Sequence, residues 1–159
     1  MWKYCTAILA LCSCGLFAAQ NSDGEPVKRM LALTEMGDKA VPRLKECRAL
    51  LKSGDPVERI AAMKVFLSAG AEYPEIVPDL LKMIRQPGTG TANDIAFGTA
   101  IVTLLTVCND EKVFSELLDS PNKRIRMGMS NALLDSPRLT PELRKKLDWP
   151  LPDITGKER

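Results

Sequence analysis

The stretch that decides the fold is LKSGDPVERIAA, residues 51–62. Asp55 can accept hydrogen bonds from the free amides at the start of a helix, and Pro56 suits the first helical position, where no N–H is needed. Asp55 and Glu58 also have the spacing of a capping box. Residues 60–71 follow with a single charged side chain. Such a helix must be covered on most sides, which indicates that other helices flank it.

Similar helix starts recur along the chain. They begin at Pro26, Pro56, Pro87 and Pro121, which are spaced 30, 31 and 34 residues apart. Three of them align as PVKRMLA, PVERIAA and PNKRIRM, each with proline, two variable residues, arginine and a large apolar residue. Ser120 can cap the last of these helices. A period of this length indicates a repeat architecture, in which each unit is a pair of helices.

Other apolar segments at helical spacing lie between these starts. They are residues 41–51, 76–84 and 113–118, and a further helix is predicted over 140–147. Residues 95–108 contain no charged side chain, which again indicates a helix enclosed by neighbours. That stretch is too short and too rich in Thr, Ala and Gly to favour a membrane span. The sequence therefore predicts an all-α protein of about seven helices.

Two stretches, MGDKAVPRL at residues 36–44 and the one at residues 51–62, resemble HEAT repeats. The resemblance covers residues 25–136, and the armadillo class has a closely similar pattern. It implies a short right-handed α-solenoid of stacked helical hairpins, placed here over residues 25–148 and followed by a polar tail at 149–159. In such arrays each hairpin contacts its neighbours, and the second helices often form a concave surface that binds proteins.

The resemblance also implies roles for turn residues. In the HEAT family the turn carries an aspartate, and an arginine early in the second helix bonds toward the turn. Asp55 with Arg59 fits this pattern well, and Asp119 with Arg124 fits it loosely. Both pairs are therefore expected to stabilise the turn that precedes their helix.

The third unit departs from this pattern. The sequence GTGT at residues 88–91 lengthens its turn, and Asp94 or Ile95 stands where arginine is expected. Glycine amides before a helix could bind a phosphate, but the lysine of a P-loop is missing. A flexible turn is the simpler interpretation of this segment.

Residues 1–19 are predicted to be an export signal. They contain an uncharged run over residues 5–19, which is short for a membrane-spanning helix. The sequence LCSCG at residues 11–15 resembles a bacterial lipobox and makes Cys14 a candidate for lipidation. The alternatives are ordinary signal peptidase cleavage, a membrane anchor, or a helix packed on the fold. The predicted location is the periplasm, the envelope as a membrane-anchored lipoprotein, or the outside of the cell.

The composition excludes several kinds of chemistry. Histidine is absent, which rules out Ser-His-Asp triads, Cys-His dyads and zinc sites built on imidazole. A net charge of +2 gives no basic excess for binding nucleic acid. Asn109, Asp110 and Glu111 could bind a cation, but a capped helix start explains all three. The sequence therefore predicts no catalytic residue, no metal site and no cofactor.

Cys47 and Cys108 are the cysteines of the predicted folded part. Export would permit a disulfide between them. They fall two units apart in the predicted array, however, and a solenoid brings only neighbouring units into contact. We therefore expect two buried free thiols.

Lys123, Arg124 and Arg126 are the candidate residues for binding a partner, with a solvated helix face as the alternative. The predicted function is a non-enzymatic protein-interaction or scaffold module in the bacterial cell envelope. Its partner would be another protein, and a lipidated Cys14 would tether it to a membrane. One alternative is a small ligand-binding protein or enzyme that uses the solenoid groove. Another is a structural remnant, or a subunit of a larger repeat protein.

Overall fold

The computed structural model describes residues 24–147. The predicted export signal with Cys14, and the predicted tail at 149–159, lie outside the described residues. Residues 24–147 form helices and no strand, which confirms the all-α prediction. None of these helices has the length and apolar character to cross a membrane. The elements are α1 (Glu25–Glu35), a 3-10 segment (Gly37–Arg43), α2 (Leu44–Arg48), a 3-10 segment (Ala49–Lys52), α3 (Pro56–Ala69), a 3-10 turn (Pro74–Ile76), α4 (Val77–Arg85), α5 (Thr91–Val107), α6 (Glu111–Leu118), α7 (Lys123–Leu134) and α8 (Pro141–Lys145).

Capping residues and prolines set where several helices begin. Asp55 caps α3 by accepting from the amide of Val57 (2.8 Å), and Asp110 caps α6 by accepting from the amide of Lys112 (3.0 Å). Thr140 caps α8 in the same way. Prolines stand in the first turn of α1, α3, α4 and α8, where the missing N–H removes no helical hydrogen bond.

The stretch between α1 and α3 is helical throughout but has mixed geometry. It passes from the 3-10 segment Gly37–Arg43 through α2 into the 3-10 segment Ala49–Lys52. Pro42 lies inside the first of these segments and has no N–H to donate, which disfavours a regular α-helix there. Gly37 follows α1 with a φ of +57°, a conformation that glycine adopts without a steric penalty.

The odd-numbered helices α1, α3, α5 and α7 form the centre of the described structure. Each packs against the next odd-numbered helix, while residues 37–52 pack on α3, α4 packs on α5 and α6 packs on α7. Phe66 on α3 is fully buried in this arrangement. The same packing explains why residues 95–108 lack charge, since α5 has neighbours on several sides. The buried Thr103 hydroxyl is satisfied within α5, because it donates to the carbonyl of Thr99 (2.7 Å).

The proline pattern placed the start of two helices too early. α7 begins at Lys123 rather than at Pro121, and Asn122 caps it by accepting from the amide two residues further on (3.0 Å). α5 begins at Thr91 rather than at Pro87. A proline can precede a cap as well as follow it, so proline spacing alone does not fix the first helical residue.

Cys47 and Cys108 are both buried and both free, as predicted. Cys47 lies on α2, and Cys108 ends α5. The two thiols therefore belong to different helices and contribute to the core as small apolar groups.

Candidate functional site

A turn held by an arginine precedes α3. Arg59 donates through Nη1 to the carbonyls of Ser53 (2.6 Å) and Gly54 (3.1 Å). The amide of Asp55 donates to Ser53 Oγ (3.1 Å), and the Ser53 hydroxyl donates to the Glu58 carboxylate. The bond expected from Arg59 toward the turn is thus present, and it is made to backbone carbonyls.

The same turn recurs before α7. Arg126 donates through Nη1 to the carbonyls of Ser120 (2.8 Å) and Pro121 (3.1 Å). The amide of Asn122 donates to Ser120 Oγ (3.3 Å). Ser120, Asn122 and Arg126 each stand 67 residues after their counterparts before α3. The two turns therefore share the same hydrogen bonds, in a register displaced by two residues from the alignment of the prolines.

The predicted pairing of Asp119 with Arg124 is wrong. Arg124 forms an ion pair with Asp94 on α5, and its guanidinium carbon lies 4.6 Å from the centroid of the Phe97 ring. Asp119 forms an ion pair with Lys146, at the end of α8. Both side chains therefore form ion pairs between helices. Their partners are close in space because the helices pack together, although they are distant in the sequence.

The turn before α5 is held by Asn93 instead of by an arginine of its own. Asp94 occupies the position four residues after the cap that Arg59 has in α3. Asn93 donates from Nδ2 to the carbonyl of Thr89 (2.9 Å) and accepts at Oδ1 from Arg59 Nη2 (2.9 Å). Asn93 also explains why residue 88 is a glycine, since a Cβ added to Gly88 would lie 2.7 Å from Asn93 Cγ. Arg59 thereby connects two successive turns.

A groove of about 570 Å³ lies beside these two turns. Its lining comes from residues 51–54, from Arg59 on α3, from α4 with the turn that follows it, and from the first turns of α5. Three of its five apolar residues are buried, whereas most of its polar groups are at least partly exposed. The apolar lining is Leu51, Met83, Pro87, Ala96 and Phe97, and the charged lining is Lys52, Arg59, Asp79 and Lys82.

Positive charge exceeds negative charge in this groove. The Asp79 side chain is only 16% exposed and lies between Arg48 Nε (3.5 Å from Oδ2) and Lys52 Nζ (3.6 Å from Oδ1). Asp79 Oδ2 is buried without a hydrogen bond, so these two cations stabilise the carboxylate through charge. Within residues 24–147, neither Arg59 nor Lys82 has a carboxylate at ion-pairing distance.

These groups can bind a ligand but suggest no covalent chemistry. No family model, curated protein or solved structure matches this chain. The interpretation of the groove accordingly depends on its own side chains. Among the residues that the structure describes, no three cysteine or carboxylate side chains come together as a metal site. What the groove offers is positive charge and hydrogen-bond donors around an apolar surface.

The predicted binding residues Lys123, Arg124 and Arg126 lie in the first turn of α7. Lys123 is exposed, Arg124 is engaged with α5, and Arg126 holds its own turn. Arg124 contacts Phe97, which also lines the groove. Cys14 lies outside the described residues.

Sequence reasoning did not single out Lys52, Asp79 and Lys82 as groove residues. They come from separate segments, and Arg59 attracted attention only as a turn residue. A usable signal was the spacing of Asp79 and Lys82, because residues three apart in a short amphipathic helix share a face. No sequence pattern around Lys52 indicates that it lines the same groove.

Cys47 should make the stability of the protein depend on alkaline pH. Burial raises the pKa of Cys47 from its ordinary 9.0 to about 11. The folded protein then keeps the thiol proton at pH values where the unfolded chain releases it, so stability falls as pH rises from 9 to 11. At pH 10.5 this effect is worth about 2 kcal/mol relative to pH 8.

Urea denaturation of the wild type and of Cys47→Ala at both pH values measures this effect. The alanine variant lacks the thiol but keeps every other titrating group, so the wild type should lose about 2 kcal/mol more than the variant between pH 8 and pH 10.5. Equal losses in the two proteins would show that the folded thiol ionises as readily as the unfolded one.

Proposed function

We propose that this chain is a non-enzymatic protein-interaction module of the bacterial cell envelope, built as a short HEAT-like α-solenoid. The groove between residues 51–54, α4 and α5 is the observation that carries the proposal. It combines an apolar surface with a polar and charged rim, which is the composition of a protein-binding site. Two of its three cations, Arg59 and Lys82, have no carboxylate at ion-pairing distance within the described residues, so a partner can supply the missing acceptors.

Two structural features support the HEAT-like part of the proposal. The odd-numbered helices form a row in which each contacts the next, as the second helices of stacked hairpins do. The turn held by an arginine recurs before α3 and before α7 with the same hydrogen bonds. The same local chemistry before two helices of this row favours a repeat array over an irregular bundle.

The envelope location is the part of the proposal that depends on sequence alone. The uncharged run at residues 5–19 and the lipobox-like sequence that contains Cys14 favour export, either as a periplasmic or secreted protein or as a lipoprotein. Lipidation of Cys14 would hold the groove close to a membrane surface. Mass spectrometry of the N-terminal peptide of the protein purified from its host distinguishes these forms.

A small-molecule site is the second candidate function, because a groove of about 570 Å³ lies within the usual size range of ligand pockets. The apolar lining is limited to five residues, three of them buried, and the site is open to solvent along its charged rim. Small ligands usually need a more enclosed surface to gain affinity. These properties favour a protein partner.

Photo-cross-linking in the producing cells tests the proposal. A benzophenone amino acid at Gln86, which is exposed and lines the groove, should form a covalent adduct with one specific protein. The matched control is the same substitution at Lys112, an exposed residue of α6 that does not line the groove. Identical adducts at both positions, or none at Gln86, would count against an interaction site in the groove.

A further inference from the structure

We propose that the groove binds an acidic segment of the partner protein, in which carboxylates flank an apolar side chain. This inference depends on the proposed function as an interaction module and adds the chemistry of the partner. Three properties of the groove support it, namely its charge balance, the fixed position of Arg59 and the apolar residues at its base.

The charge balance favours an anionic occupant. Three cations line the groove, Lys52, Arg59 and Lys82, against the single carboxylate of Asp79. That carboxylate is already shared by Lys52 and by Arg48, which lies outside the lining. It therefore does not neutralise the other two cations. The chain as a whole carries only +2, so an excess of this size in one groove is a local feature that attracts negative charge.

Arg59 is held in place before any ligand arrives. Its guanidinium makes three hydrogen bonds, to the carbonyls of Ser53 and Gly54 and to Asn93 Oδ1. Arginine has five N–H donors, so two remain without a partner in the described structure. A carboxylate accepts such donors with favourable geometry. Because the side chain is already ordered, binding costs little additional conformational entropy.

The apolar base of the groove distinguishes a peptide from a free anion. Leu51, Ala96 and Phe97 are buried, so the apolar lining that solvent reaches is mainly Met83 and Pro87, which are partly exposed. An inorganic anion would contact the cations but would leave Met83 and Pro87 in water. A peptide that places an apolar side chain against these two residues removes their exposed surface from water, and flexible Met83 can adjust to its shape.

The test uses three labelled peptides, GELEELEG, GQLQQLQG and GESEESEG. The first has side-chain carboxylates and leucines, the second has no side-chain carboxylate, and the third has no leucine. Fluorescence anisotropy with the protein purified from its producing cells gives each affinity, and amide chemical shifts of the ¹⁵N-labelled protein locate the site. We expect GELEELEG to bind about tenfold more tightly than either of the others, with shifts centred on Lys82, Met83 and Phe97.

Charge reversal in the protein provides the matched comparison. Lys82→Glu should weaken GELEELEG binding by about tenfold or more, and Lys82→Gln by less. Lys112→Glu changes the net charge by the same amount outside the groove and should leave the affinity within about twofold. Circular dichroism of each variant shows that the fold is retained.

Several outcomes would overturn the inference. They are equal binding of the neutral peptide, shifts located away from the groove, or no binding of GELEELEG at millimolar concentration. If any of these occurs while Gln86 still cross-links to a partner, the inference of an acidic segment is wrong and the proposed interaction function stands. If Gln86 gives no adduct as well, both proposals are wrong.

Discussion

Replacing Phe66 by alanine is expected to lower the free energy of unfolding by about 3–5 kcal/mol. Phe66 is fully buried on α3, the helix that packs against both α1 and α5, and its ring centroid lies 5.5 Å from that of Tyr73. Truncation removes these contacts and leaves a cavity that the closely packed neighbours fill only in part. Since small domains are stable by about 5–15 kcal/mol, the variant would lie close to unfolding.

Urea denaturation followed by circular dichroism measures this loss. Phe66→Leu keeps most of the buried volume and should cost less than about 1.5 kcal/mol. Leu31→Ala is the surface control, because Leu31 is 41% exposed on α1 and loses little burial on truncation. If Phe66→Ala cost no more than Leu31→Ala, α3 could not be the centre of the hydrophobic core.

Helix starts governed by local chemistry could be predicted from the sequence. Asp55 with Pro56 specifies a cap and a first helical residue within two positions, and the structure contains that cap and that start. The same holds for Asp110 before α6 and for Thr140 before α8. In each case the side-chain oxygen and the amide it accepts from lie two or three residues apart, so no information about packing was needed.

Features that depend on two distant segments could not be predicted. Proline spacing aligned Arg124 with Arg59, but the structural counterpart of Arg59 is Arg126, because Asn122 rather than a residue before Pro121 caps the helix. Arg124 follows Pro121 after two residues, as Arg59 follows Pro56, whereas Arg126 follows it after four. The alignment of the prolines therefore selects Arg124, whereas aligning the capping residues Asp55 and Asn122 selects Arg126.

The groove is the clearest case of such a limit. Lys52 ends one helical stretch, Lys82 lies on α4 and Phe97 on α5, so their proximity depends on how three elements pack. The sequence indicates that each element is helical and which face is apolar. It does not indicate which cations form an ion pair in the folded protein. Arg124 is paired with Asp94, whereas Arg59 has no carboxylate at ion-pairing distance among residues 24–147. This difference is the reason for placing the proposed binding site in the groove.

Replacing Gly128 by leucine is expected to destabilise the protein by about 1–3 kcal/mol through overpacking between α5 and α7. A Cβ added at Gly128 would lie 2.8 Å from Ile101 Cδ1 and 3.0 Å from Phe97 Cε1. Both side chains are buried, so neither can move aside freely. Leucine stabilises a helix by nearly 1 kcal/mol more than glycine does, so the clash must cost more than this for the free energy of unfolding to fall.

Gly98 on α5 is the matched control, because a Cβ added there meets no atom within 4 Å. Gly98→Ala should therefore stabilise the protein by about 1 kcal/mol, from helix propensity alone. Thermal denaturation of both variants measures the contrast, and stabilisation by Gly128→Leu would show that α7 can separate from α5 without cost.

Phe97 connects this packing to the proposed function, since its ring contacts Arg124 and lines the groove. Displacing the ring should also weaken GELEELEG binding, whereas Gly98→Ala should leave that binding unchanged.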